Sequence, residues 1–131
     1  MNIAILEDNP AIVDYLTTAL EMAGHQVEVH TQGASLLEAL FPNGGVRTPL
    51  PYDLVTVDLL LPGGLSGVEV IARIRDAIAP QQLPIIVISG ASRPFFEEVK
   101  KIFPHVFLLE KPFKRHVLLQ LLEDLRSPQE K

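Results

Sequence analysis

The chain has 131 residues, 47% hydrophobic and 21% charged, with a formal net charge of −5 and no cysteine. That is one domain's worth of chain, too apolar for disorder and too short for two well-packed cores. The missing thiols exclude a disulfide scaffold, a thiolate metal site and a cysteine nucleophile, and the 11 scattered Lys and Arg residues form no basic face for a nucleic acid.

No apolar run approaches the roughly 20 residues of a membrane span. Met1 leads directly into a strand-like run and then into acids, without the pattern of a secretory signal. The expectation is a cytoplasmic protein with no membrane contact.

A strand-like run followed by a helix-like pattern occurs five times along the chain. The first strand is Ile3-Ala4-Ile5-Leu6. Glu7 and Asp8 follow, then Asn9 as N-cap and Pro10 at the first helical position. Ile12, Val13, Leu16, Leu20 and Ala23 share one helical face, and Gly24 closes the helix. The second strand, Val27 to Val29, alternates with Gln26, Glu28 and His30, which suits a sheet edge. A short helix follows with Leu36, Leu37, Leu40 and Phe41 on its apolar side.

Phe41 to Tyr52 reads FPNGGVRTPLPY, with three prolines and two glycines. It is expected to be a long surface loop, read as an insertion tolerated at small entropic cost in preference to a binding loop. The third strand, Leu54-Val55-Thr56-Val57, is apolar on both faces, as a central parallel strand should be, and ends at Asp58. A Gly-rich turn precedes a helix carrying Val68, Ile71, Ile74 and Ile78. The fourth strand, Ile85 to Ile88, ends at Ser89. A helix starting near Pro94 presents Phe95, Phe96, Val99, Ile102 and Phe103, and at least one of the two adjacent rings is expected at the surface as a partner contact. The fifth strand is Val106 to Leu109, followed by Glu110-Lys111-Pro112. The last helix carries Val117, Leu118, Leu121, Leu122 and Leu125. One domain over residues 1–126 and a polar, frayed tail over 127–131 are expected.

Strict alternation of strand and helix calls for a parallel sheet with right-handed crossovers. The fold class is therefore α/β: a doubly wound, flavodoxin-like (βα)5 sandwich of three layers, strand order 2-1-3-4-5. Ligands in such sheets bind beyond the carboxyl ends of the strands, where the strand order reverses. Glu7, Asp8, Asp58, Ser89 and Lys111 all fall at that edge. Two carboxylates about 4 Å apart repel by roughly 4 kcal/mol at an effective dielectric of 20. Protons or a cation must relieve this, and an all-oxygen set suits Mg²⁺ or Mn²⁺. A divalent ion, a lysine and a hydroxyl beside a carboxylate suit a phosphoryl group, with Asp58 as its acceptor.

With these residues in place, the chain resembles a response-regulator receiver domain of two-component signalling. The matching residues are Glu7-Asp8, Asp58 in DLLLP, Ser89-Gly90-Ala91 and Lys111-Pro112-Phe113, and the likeness runs from Asn2 to Arg126. The resemblance implies that Asp58 accepts phosphate from a histidine kinase or phosphotransfer protein. It implies that Asp8 binds Mg²⁺ directly, that Glu7 helps through water, and that the backbone carbonyl of Leu60 is a further ligand. Ser89 and Lys111 would bind the phosphoryl group, and the Lys111-Pro112 bond would be cis. The fourth helix, fifth strand and fifth helix would carry the signal to an output domain or downstream protein, with no direct nucleic-acid contact. The domain would be a phosphoacceptor rather than an enzyme on external substrates, catalysing at most its own phosphorylation and dephosphorylation. The apolar fifth strand and last helix are also compatible with a homodimer.

Three departures from the family pattern stand out. Pro62 to Gly67 reads PGGLSG, one residue longer than usual. Leu108 occupies the position three before the lysine, where an aromatic switch residue is usual; Phe107 should point to the opposite face. The Phe41–Tyr52 loop is also long. An interaction module no longer regulated by phosphate, a small Mg²⁺-dependent phosphatase and a flavin site are the competing functions. The phosphatase lacks a general acid near Asp58, and the flavin site lacks a hydroxyl- and glycine-rich cradle after the first strand. His25, His30, His105 and His116 have no metal-ligand spacing and are expected to be structural or surface residues.

Overall fold

Every apolar run expected as a strand pairs in one parallel sheet in the computed structural model, which describes residues 1–126. The expected tail, 127–131, lies outside the described residues. The strands are β1 (Asn2–Leu6), β2 (Gln26–His30), β3 (Leu54–Val57), β4 (Ile85–Ser89) and β5 (Phe107–Glu110), in the order β2-β1-β3-β4-β5. The helices are α1 (Pro10–Met22), α2 (Gly33–Leu40), α3 (Gly67–Ala77), α4 (Arg93–Ile102) and α5 (Arg115–Arg126). All residues of β3 and β4 are buried, whereas β2 is mostly exposed at the sheet edge.

Alternation along the strands divides the core in two. Ile3, Ile5, Leu54, Ile86 and Ile88 pack with Leu16 and Leu20 of α1 and Leu118 and Leu122 of α5. Ala4, Leu6, Val55, Val57, Ile85 and Val87 pack with α2, α3 and α4 through Leu36, Ile71, Ile74, Phe96 and Val99. The period-2 side-chain alternation of the strands thus fixes which helices cover which face.

Local signals start and stop the helices. The Asn9 side-chain oxygen accepts the Ala11 and Ile12 amides at 2.9 and 3.2 Å, with Pro10 opening α1. Gly24, at φ +91°, turns the chain out of the helix. Ser66 and Glu69 form a capping box at α3, a Ser-x-x-Glu signal in the sequence that the periodicity argument passed over. Ser92 caps α4, so that helix begins at Arg93, just ahead of Pro94.

The apolar stripes needed some correction. On α3, Val70 joins Ile71 and Ile74 in the core, while Val68 is only half-buried. Gly67, Val70, Ile71 and Ile74 form the buried face of α3, with Val68 packed at its margin. Ile102 is 60% exposed and Val117 42%. Both were expected on apolar faces and lie instead at the surface. Phe95 is 37% exposed and Phe96 is 3% exposed, which meets the expectation of one surface ring.

Phe41 to Tyr52 is a loop, as expected, with Phe41 just past the end of α2. It is tied down at both ends. The Arg47 amide donates to the Leu40 carbonyl at 2.8 Å, and the Asp53 amide donates to Asn2 at 2.7 Å. Buried Tyr52 places its hydroxyl 2.8 Å from His30 Nε2 and donates to the Glu28 carboxylate, while His30 Nδ1 meets Ser35 Oγ at 2.6 Å. Burial, the hydrogen bond to Glu28 and its negative charge all push the Tyr52 hydroxyl pKa up. It therefore stays a neutral donor. His30 is structural, as expected.

A Cβ at Gly67 would clash with the Asp58 carbonyl oxygen and come within 2.8 Å of Leu59 Cα. Gly67→Ala should cost about 1–3 kcal/mol. Gly45 has open space around it, and Gly45→Ala should stay within about 0.5 kcal/mol of wild type. Urea midpoints at constant slope measure both; equal losses would refute the packing argument.

Candidate functional site

The residues that follow the strands are placed by the sheet's own hydrogen-bond ladder. The Glu7 amide donates to the His30 carbonyl at 3.0 Å, the Asp58 amide to Leu6 at 3.1 Å, and the Lys111 amide to Ser89 at 2.9 Å. Each strand therefore carries its neighbour's pairing one step past its end. That step sets Glu7, Asp58 and Lys111 side by side at the carboxyl edge, where the strand order reverses. Gly67 seats the start of α3 directly against the turn after Asp58.

The sequence-derived acids do converge. Carboxylate oxygens of Glu7, Asp8 and Asp58 lie within 4.8 Å of one another. Glu7 is 2% and Asp58 6% exposed. Lys111 Nζ reaches Glu7 Oε1 at 2.7 Å and Asp58 Oδ2 at 3.2 Å. The remaining oxygens of both acids take backbone donors: Asn9 N–H to Glu7 Oε2 at 3.2 Å, and Leu60 N–H to Asp58 Oδ1 at 3.0 Å. The Asp8 carboxylate is more open and has no partner among the described residues. Ser89 is fully buried, and its hydroxyl accepts the Ala91 amide at 3.3 Å. The Lys111-Pro112 bond is cis, as expected.

Burial raises the Glu7 carboxyl pKa, and the Asp58 charge adds to this. The hydrogen bonds from Lys111 and the Asn9 amide oppose the shift without cancelling it. Burial also works against the Lys111 ammonium. Its hydrogen bond to Glu7 and the charges of Asp58 and Glu7 outweigh that effect and raise its pKa. Three hard oxygen donors, one of them free, fit a small divalent cation.

Some of this was not visible in the sequence. Glu7 is as deeply buried as the core and is the nearer partner of Lys111, whereas sequence placed Lys111 with Asp58 and its ligand. The amides of Asn9 and Leu60 leave no side-chain signature. Gly63 and Gly64 both adopt positive φ, +63° and +51°, so this loop makes a left-handed turn. Phe107 packs with the α1/α5 side and Leu108 with the other, as alternation requires.

The family pattern described as "Response regulator receiver domain" matches residues 3–123. The chain belongs to this family. It is 41% identical over 102 residues to the KDP operon transcriptional regulatory protein KdpE of Escherichia coli, covering 77% of this chain and 38% of that protein. It therefore spans well under half the length of that relative. A CheY-like receiver domain protein from Methanospirillum hungatei superimposes with a TM-score of 0.78 at 21% identity, covering 98% of this chain and 96% of that one. The receiver domain of sensor histidine kinase PA1611 from Pseudomonas aeruginosa, solved with a magnesium ion in its active-site cleft, gives 0.78 at 24% identity and 95% coverage of each chain. The fold is that of CheY-like receivers. No described helix is long and apolar enough to cross a membrane.

Lys111→Met tests the electrostatics in metal-free buffer. An acid whose folded-state pKa is raised holds its proton more tightly folded than unfolded, so it costs more stability as pH rises through the carboxylate range. Removing Lys111 lifts Glu7 further and leaves two buried acids without their cation. The variant should lose about 3 kcal/mol at neutral pH, and the deficit should shrink in acid, where Glu7 protonates. Urea unfolding at both pH values measures this; a deficit that grows in acid would contradict it.

Proposed function

We propose that this domain is a signalling switch that accepts a phosphoryl group on Asp58 from a histidine kinase or phosphotransfer protein. The observation that carries this reading is the Lys111 ammonium held between Glu7 and Asp58 at the switch point of the sheet, 2.7 and 3.2 Å away. In the transfer, an Asp58 carboxylate oxygen forms a bond to phosphorus while the bond from phosphorus to the donor's histidine nitrogen breaks. The leaving imidazole keeps that electron pair. A divalent cation, Mg²⁺ or Mn²⁺, held by Glu7, Asp8, Asp58 and the Leu60 carbonyl, would offset the charge on acceptor and phosphoryl oxygens. The bound magnesium of the PA1611 receiver supports this choice.

The chain's own residues do the rest. Lys111 exchanges a carboxylate partner for a phosphoryl oxygen, retaining an anionic partner throughout. The Ser89 hydroxyl turns from the Ala91 amide to donate to the phosphoryl group. That difference biases the α4 region between two arrangements, and a few kcal/mol suffices for the shift. Helix α4, strand β5 and helix α5 then present the altered surface to a downstream protein or output domain. KdpE, named a transcriptional regulator, is longer than this chain, in keeping with such an arrangement. This domain would not itself touch nucleic acid, and a homodimer through the same face remains compatible. The receiver unit would comprise residues 1–126, acting in the cytoplasm. Its only catalysis would be of its own phosphorylation and dephosphorylation.

Leu108 changes how the switch is read. A groove of about 360 Å³ lies between α4 and β5, lined by Arg93, Phe96 and Leu108 among others. With no aromatic ring to swing there, β5 would signal without a side-chain flip. The Arg93–Glu110 ion pair at 2.7 Å links α4 to β5, but both residues are exposed and the pair is worth about 0–1 kcal/mol.

Intact mass after incubation with acetyl phosphate tests the acceptor. A single phosphoryl adduct should form with Mg²⁺, vanish with chelator, and be absent in Asp58→Asn. No adduct under conditions that label another receiver would favour an interaction module independent of phosphate, with the Gly63-Gly64 loop as the first place to look. In the same samples, methyl NMR of Leu108 should report one unchanged rotamer before and after phosphorylation. Two rotamers exchanging with phosphorylation would refute the absence of a flip.

A further inference from the structure

The two lengthened loops of this chain border one cleft. Helices α2 and α3 approach closely at Gly33, where an added Cβ would come within 2.5 Å of Val70 Cγ2. Beside that contact lies a cleft of about 530 Å³ between the two helices. Its apolar lining includes Leu37, Phe41 and Leu65; its charged residues are Glu38, Arg73 and Asp76. Leu65 belongs to the long Pro62–Gly67 loop. Phe41 and Gly44 belong to the long Phe41–Tyr52 loop, which Tyr52 and the Arg47 amide hold in place. Neither Phe41 nor Leu65 is fully buried, and no ion pair or hydrogen bond among the described residues engages Glu38, Arg73 or Asp76 through its side chain.

We propose that this cleft is a docking site for an amphipathic helical segment of a partner protein, flanked by lysine or arginine. An apolar furrow between two helices accepts the apolar stripe of a third. The two unpaired acids, Glu38 on α2 and Asp76 on α3, complement basic residues beside that stripe. Arg73 selects one acid on the same segment. A compact apolar ligand would leave all three charges unused, and a nucleic acid would be repelled by the two acids. Nothing in this docking uses the chemistry of Asp58, so it stands or falls apart from the phosphorylation reading.

The test uses unphosphorylated protein and two fluorescein-labelled amphipathic peptides of about four turns. One carries leucines at i, i+3, i+4 and i+7, lysine flanks and one central glutamate. Its twin has glutamate flanks. Fluorescence anisotropy should give the lysine peptide about ten-fold tighter binding or more. Glu38→Lys with Asp76→Lys should reverse the preference. Ala77 is exposed and lines the cleft, so Ala77→Trp should fill the space and weaken both peptides without disturbing the core. Asp14→Lys with Glu21→Lys, the same charge change on exposed positions of α1, should leave the preference intact. Three results would overturn the proposal: equal binding of the two peptides, a preference lost equally in the α1 variant, or binding indifferent to Ala77→Trp.

Discussion

The Lys111 ammonium between Glu7 and Asp58 is the interaction on which the carboxyl edge of this protein depends. Two nearly buried carboxylates with a third beside them repel by several kcal/mol, about 4 kcal/mol per close pair at an effective dielectric of 20. One cation held at 2.7 and 3.2 Å offsets much of that. It does not offset all of it, because burial still leaves the Glu7 carboxyl pKa raised. The Asp8 carboxylate remains without a partner among the described residues. The edge is thus poised for a further positive charge.

Backbone, more than side chains, builds this arrangement. The amides of Glu7, Asp58 and Lys111 each pair with the last carbonyl of the neighbouring strand, so sheet register dictates the spacing of the functional groups. The amides of Asn9 and Leu60 then orient one oxygen of each buried acid. Gly67 allows α3 to press against the Asp58 carbonyl. These contacts order the site's carboxylates before any ligand arrives.

The Pro62–Gly67 loop meets this centre through Gly67, while the Phe41–Tyr52 loop is anchored on β2 and Leu108 lines the groove between α4 and β5. Two left-handed glycines, Gly63 and Gly64, turn the Pro62–Gly67 loop. Leu108 sits on the α4 side of β5 while Phe107 faces α1 and α5, so the Phe107 ring lies on the opposite face of the sheet from Leu108. The long Phe41–Tyr52 segment is ordered through Tyr52, whose hydroxyl joins β2 and, through His30, Ser35 of α2.

The sequence by itself determined the element order and the strand order, and it named the acids and the lysine that the fold brings together. Period-2 and period-3.6 patterns, Asn9-Pro10 and the strict alternation of strand and helix are local properties, and local chemistry suffices to read them. Helix phase was less secure. Val70 is fully buried on α3 beside Ile71 and Ile74, while Val68 packs against the same core only partly buried. What only the tertiary structure decided involves pairs distant along the chain. Lys111 chooses Glu7 as its nearer partner across a separation of 104 residues, and Tyr52 finds His30 across 22. The cleft beside Gly33 and Val70 arises where two helices meet. Such contacts leave no periodic trace in the sequence, because burial, register and helix packing arise only when separate segments share one core.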